Sequence, residues 1–329
     1  MAGAIRSARL LVAVGLAALI LLGCSGQTGT AVGPEPTGGR PPATENAAER
    51  PTVVATTNVI GSVLREGLGA HVDVIDVMPR VSDPHSFEVS AATTVEMAQA
   101  DLVVANGLGL EAGLSPVLES IADEVNVIEI APQLDPQTYG EVSTEAETGT
   151  ADPHVWTDPS RMADVPALVV EALSADTTLD LDLDTLRGAA DDAREALEAL
   201  DSEVAGQLGE LPPDRRQLVT SHHGLAYYAD RYDLTVLGVV LPSGAALAAP
   251  SAADLADLTT ALETADVDAI FADPTHPAPL AEALARERGG QVQIVDLPVE
   301  SLGEDGSSAD SYPDMIRTIT ERIVDALSA

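Results

Sequence analysis

The chain has 329 residues, with 53 Asp and Glu against 16 basic side chains, and a formal net charge of −37. So acidic a balance excludes nucleic acid as a partner, because phosphate backbones are held by dense Lys and Arg surfaces. The length allows two ordinary domains of ~150 residues with a cleft between them. A spread negative field attracts cations without selecting one, so specific binding needs named ligands.

Arg6 and Arg9 precede an apolar run from Leu10 to Leu22 that ends at Gly23-Cys24. The run is shorter than the ~20 apolar residues of a spanning helix, and its charged flank and small-residue exit predict a cleaved secretory signal over 1–23. Leu21-Leu22-Gly23-Cys24 resembles the lipobox of bacterial lipoproteins. That implies lipidation of Cys24 and a place on the outer face of the cell membrane. Cys24 is the sole cysteine, which excludes a disulfide within one chain. Residues 24–50, rich in Gly, Pro, Thr and Ala, read as a flexible tether.

Beyond Pro51, short β-branched runs alternate with longer segments of helical spacing. Strands are expected at Thr52 to Thr57, His71 to Met78, Asp101 to Asn106 and Val125 to Ala131. Helices are expected at Val59 to Leu68, Ala91 to Ala100 and Leu114 to Asp123. A second series of strands is expected at Gln217 to Ser221, Leu234 to Val240, Val267 to Ala272 and Val292 to Leu297, with helices at Ser251 to Thr264 and Ala278 to Arg288. Between the two series, Leu186, Ala190, Ala193, Leu197, Leu200, Val204 and Leu208 recur at helical spacing, and Pro212-Pro213 ends the pattern. The expected fold is α/β: a lobe over 51–182 and a lobe over 209–329, each with a parallel sheet, joined by one long helix over 183–208.

Three of six histidines fall at expected strand-to-loop junctions, where open α/β sheets gather ligands. They are His85 in Asp83-Pro84-His85, His154 in Asp152-Pro153-His154, and His222 in Ser221-His222-His223. Neutral imidazole suits zinc and its neighbours, and an added carboxylate neutralises charge. Three histidines with one acid make a closed shell that holds an ion, whereas catalytic zinc keeps a position for water. H-E-x-x-H, G-x-G-x-x-G and G-x-S-x-G are all missing from the sequence.

These residues, with Ala100-Asp101-Leu102-Val103-Val104-Ala105-Asn106-Gly107 and Glu300-Ser301-Leu302-Gly303 ahead of Asp310-Ser311-Tyr312-Pro313, resemble the zinc- and manganese-binding solute-binding lipoproteins of ABC importers. The resemblance spans almost the whole chain. It implies two α/β lobes, a rigid linking helix and a metal cleft between the lobes. It also implies His85, His154 and His222 as ligands, with Glu300 fourth and Asp296 its rival. His223 stands where relatives carry Asp. The stretch from Gln133 to Asp152 is acidic where zinc-specific members carry histidines. Three imidazoles favour Zn2+, with Mn2+ as the alternative cargo. The implied partner is an ABC permease, the implied state a monomer tethered through its lipid, and the implied role is not that of an enzyme. A secreted zinc hydrolase is the alternative from another class, and adhesion would be at most an added activity. Because the ligands must be neutral, affinity is expected to fall as pH drops toward ~6.

Overall fold

The computed structural model describes residues 50–139, 149–240, 259, 269–276, 281–282, 285–286 and 292–328. The expected signal, Cys24 and the tether through residue 49 lie outside the described residues, as do 140–148 of the acidic stretch and most of the helices expected within 251–288. Among the described residues no helix is long and apolar enough to cross a membrane.

The first sheet is built from β1 (Thr52–Ala55), β2 (Asp73–Asp76), β3 (Leu102–Ala105) and β4 (Val127–Glu129), in the order β2-β1-β3-β4 with every pair parallel. The two central strands, TVVA and LVVA, are almost wholly buried, while edge strand β2 alternates between exposed and half-buried. That contrast follows from helices covering both faces of a parallel sheet. Each parallel step needs a crossover. The first is α1 (Asn58–Leu68), capped by Thr57, whose side chain accepts from the Ile60 amide; α2 (Ala91–Ala98) is capped the same way by Ser90. The next, α3 (Ser115–Ile121), carries Pro116 in its first turn, where no amide donor is lost.

After this sheet come α4 (Pro159–Met162), α5 (Val165–Ser174) and then α6, Leu183–Gly209, a helix of 27 residues. At 1.5 Å per residue α6 is ~40 Å long. Asp182 caps it by accepting from the Thr185 amide, and its buried stripe is Leu186, Ala190, Leu197, Leu200, Val204 and Leu208. Asp201 also lies on that stripe, buried because Arg231 Nε at 2.8 Å and Tyr232 OH at 3.0 Å satisfy it.

The second sheet, β6-β5-β7-β8, is again all parallel: β5 (Gln217–Thr220), β6 (Thr235–Val239), β7 (Ala269–Ala272) and β8 (Gln293–Asp296). Helix α7 (Ala226–Arg231) joins β5 to β6. The C-terminal helix, Tyr312–Ser328, packs against both α6 and α1. One continuous apolar cluster therefore runs from Val53 and Leu102 through Leu197 and Leu200 to Leu218 and Phe271. The sequence reading of two parallel-sheet lobes joined by a long helix is what the chain forms.

Candidate metal centre

The Asp-Pro-His repeat has a local physical cause. In each case the aspartate accepts the backbone amide of the histidine two residues on, His85 N to Asp83 Oδ1 at 2.9 Å and His154 N to Asp152 Oδ1 at 3.0 Å. The intervening proline fixes φ, so the turn presents the imidazole in one direction. At His154 the aspartate also reaches the ring, with Nδ1 2.6 Å from Asp152 Oδ1. A proton held on Nδ1 by that carboxylate leaves the Nε2 lone pair facing inward.

The inward atoms converge. His85 Nε2 lies 3.2 Å from His154 Nε2 and 3.6 Å from Glu300 Oε2, and His154 Nε2 lies 3.5 Å from Glu300 Oε1. Four donors arranged tetrahedrally at ~2.0–2.1 Å from a zinc ion are ~3.3–3.4 Å from one another. The three measured separations bracket that edge length. Among the described residues, His85, His154 and Glu300 form a group able to hold an ion between them.

His222 follows β5 and meets this group through Glu300, its Nε2 hydrogen-bonded to Glu300 Oε1, with its ring centroid 5.7 Å from that of His154. Gly224 makes room for that contact: a Cβ there would overlap the His222 ring and approach Glu300 Oε1 to 2.9 Å. Asp296, at the end of β8, is exposed and is not one of this group. The His223 ring turns to Tyr139, edge-on at 5.5 Å between centroids.

Glu300 is buried, and its Oε2 has no hydrogen-bond partner. Burial alone would raise its carboxyl. His222, His154 and His85 outweigh that and hold it well below the usual carboxylate range. Burial likewise pushes His85 down to about 4, with Glu300 opposing and the neighbouring histidines reinforcing the shift. Acid competition at His85 thus starts lower than its unshifted imidazole would suggest.

Residues that sequence reasoning passed over support the cluster. Asp273 Oδ2 accepts both the Val299 and Glu300 amides, at 2.6 and 2.9 Å, and so aims the glutamate. Trp156 Nε1 donates to Val299 O at 2.8 Å. A further histidine, His276, stacks on His222 with centroids 4.5 Å apart and planes 21° from parallel. It too follows an Asp-Pro turn, Asp273-Pro274-Thr275, in which the Thr275 amide donates to Asp273 Oδ1 at 2.7 Å. That repeated turn was the signal available in the sequence. Burial lowers His276, but the neighbouring Asp273 and Glu300 carboxylates outweigh it, leaving it raised overall.

The chain is similar to known metal-binding proteins over most of its length. Residues 53–326 match the family model described as zinc-uptake complex component A, periplasmic. The zinc-binding protein TroA of Treponema pallidum is 29% identical over 283 residues, covering 85% of this chain and 89% of that protein. The manganese-binding lipoprotein MntA of Bacillus subtilis (strain 168) is 27% identical over 289 residues, covering 86% and 92%. The solved structure of the Treponema pallidum periplasmic zinc-binding protein superposes with a TM-score of 0.73 at 26% identity, covering 84% of this chain and 99% of its own. A manganese-bound periplasmic metal-binding protein from Candidatus Liberibacter asiaticus, at 21% identity and a TM-score of 0.72, shares the fold. The chain belongs to the zinc-uptake complex component A family, metal-binding solute-binding proteins of ABC importers and not enzymes.

Proposed function

We propose that this chain captures a zinc ion outside the cytoplasm with His85, His154, His222 and Glu300 and delivers it to an ABC permease, held at the membrane by a lipid on Cys24. The observation that carries the reading is the spacing of 3.2–3.6 Å between the inward donor atoms of His85, His154 and Glu300. Three imidazoles and one carboxylate give a nitrogen-rich set, which favours zinc over manganese, as does the intrinsic order of divalent-metal affinities. Manganese is the second reading, because MntA, at comparable identity, is named for that ion.

Capture uses groups already aimed. Asp152 orients His154 and Asp273 orients Glu300, so few side chains must be ordered when the ion arrives. Release needs the donors to separate, and α6, packed on α1, α4, α5 and the C-terminal helix, restricts that to small tilts. The test is to express residues 25–329, strip the metal, and titrate Zn2+ and Mn2+ against a chelator in the wild type and His154→Ala. Tight one-to-one zinc binding that collapses in the variant is expected. Tight manganese but weak zinc binding would select the second reading, and binding of neither ion would overturn both.

A further inference from the structure

His276 is the feature that the four proposed donors leave unexplained. Its side chain is 1% exposed, and its Nε2 has no hydrogen-bond partner. A buried imidazole that leaves a nitrogen unpaired costs more than an apolar ring of the same size. Packing against His222 would be served as well by Phe. The other edge of the ring is provided for: Nδ1 lies 3.2 Å from Thr275 Oγ1 and 3.8 Å from Asp273 Oδ1. With the Nδ1 proton directed to these oxygens, the Nε2 lone pair is left for something else, the arrangement that Asp152 gives His154.

The location narrows what that is. The ring lies against His222 at 4.5 Å and 6.5 Å from His85. Glu300 Oε2, in the same cluster, is a second buried acceptor without a hydrogen-bond partner. A divalent cation uses imidazole lone pairs and a carboxylate oxygen together. Asp273 ties the two orphaned groups into one unit, since Oδ1 holds the turn before His276 and Oδ2 holds the Glu300 amide.

We propose that His276 is a fifth metal donor in this site, joining His222 on the bound ion and biasing the site towards nitrogen-preferring divalent ions. The inference rests on the capture function proposed above. Zinc and cobalt accept five donors as well as four, so no other ligand has to leave.

The experiment compares wild type, His276→Phe, which keeps the stacked ring, and His276→Gln, which keeps a polar group should the first fail to fold. X-ray absorption of the zinc-loaded proteins counts imidazoles, visible spectra of the cobalt-loaded proteins report coordination number, and chelator competition gives the zinc-to-manganese affinity ratio. Expected are four imidazoles in the wild type and three in the variants, a more intense cobalt spectrum in the variants, and a fall of about tenfold in the zinc-to-manganese ratio. An unchanged imidazole count and cobalt spectrum would overturn the proposal, even if both affinities fell together, since that pattern belongs to a buttress. Failure of the wild type to bind zinc at all would instead overturn the capture reading, and this proposal with it.

Discussion

Asn58 and Leu302, 244 residues apart in the chain, are joined by a hydrogen bond of 2.9 Å from the Leu302 amide to Asn58 Oδ1. The same side chain donates to Ser301 Oγ at 2.8 Å and to Pro79 O at 2.9 Å. Val81 N adds a bond to Leu302 O at 3.2 Å. The loop that follows β8 and carries Glu300 is therefore pinned to the start of α1 and to the loop after β2. Asn58→Ala would strand the buried Leu302 amide, at ~1–3 kcal/mol of stability. Faster zinc loss to a chelator, by several-fold in stopped flow, is the expected result. Unchanged release would show that the pin does not govern the glutamate.

Asp152→Ala removes the carboxylate that fixes the His154 ring. Loss of such an orienting partner typically lowers metal affinity ~10–100-fold. Chelator competition should show that drop, with the far-ultraviolet circular dichroism of the metal-free protein unchanged.

Gly224→Ala puts a methyl group where His222 and Glu300 meet. The nearest obstacles are side-chain atoms, so the chain folds and the donors are displaced. The expected outcome is a normal melting profile without metal and the loss of most of the thermal shift on adding zinc. In the wild type that shift corresponds to ~4 kcal/mol at a thousandfold excess of zinc over its dissociation constant.

His85 and His276 predict opposite pH effects on the metal-free protein. His85 has a folded value of about 4, against 6.5 unshifted. The unfolded chain takes up that proton first on acidification, so stability falls as pH drops from ~6.5 towards 4. His276 is raised, so its contribution is complete below ~6.5 and is lost as pH rises through its folded value. Urea unfolding from pH 9 to 4.5 should show a shallower loss below ~6.5 for His85→Ala and, above ~6.5, a smaller gain in stability on acidification for His276→Phe. Parallel curves for the two variants would contradict both assignments.

Much of this was legible before the fold was known, for identifiable reasons. The central strands stand out because a parallel strand covered on both faces is an unbroken apolar run, as in Leu102-Val103-Val104-Ala105. Helix α6 stands out because seven apolar positions repeat across it. His85 and His154 were visible because each has its orienting aspartate two residues away. His276 was not, because its turn spends one residue more, placing Thr275 where the histidine would stand. Asn58 was hidden for another reason: its partner is 244 residues distant, and a polar residue opening a helix normally signals only a cap. Asp273 was hidden because its work is done on the backbone amides of residues 299 and 300.

Helix α6 touches α1, α4, α5 and the C-terminal helix. A helix of 27 consecutive residues bends stiffly, so on the proposed capture function loading and release are expected to change the outline of the molecule very little. A membrane partner therefore has scant information in the envelope of this protein. On the proposed capture function, the place to tell cargo-bearing from empty copies is the pair of loops bearing His85 and Glu300, which the bonds through Leu302 hold together.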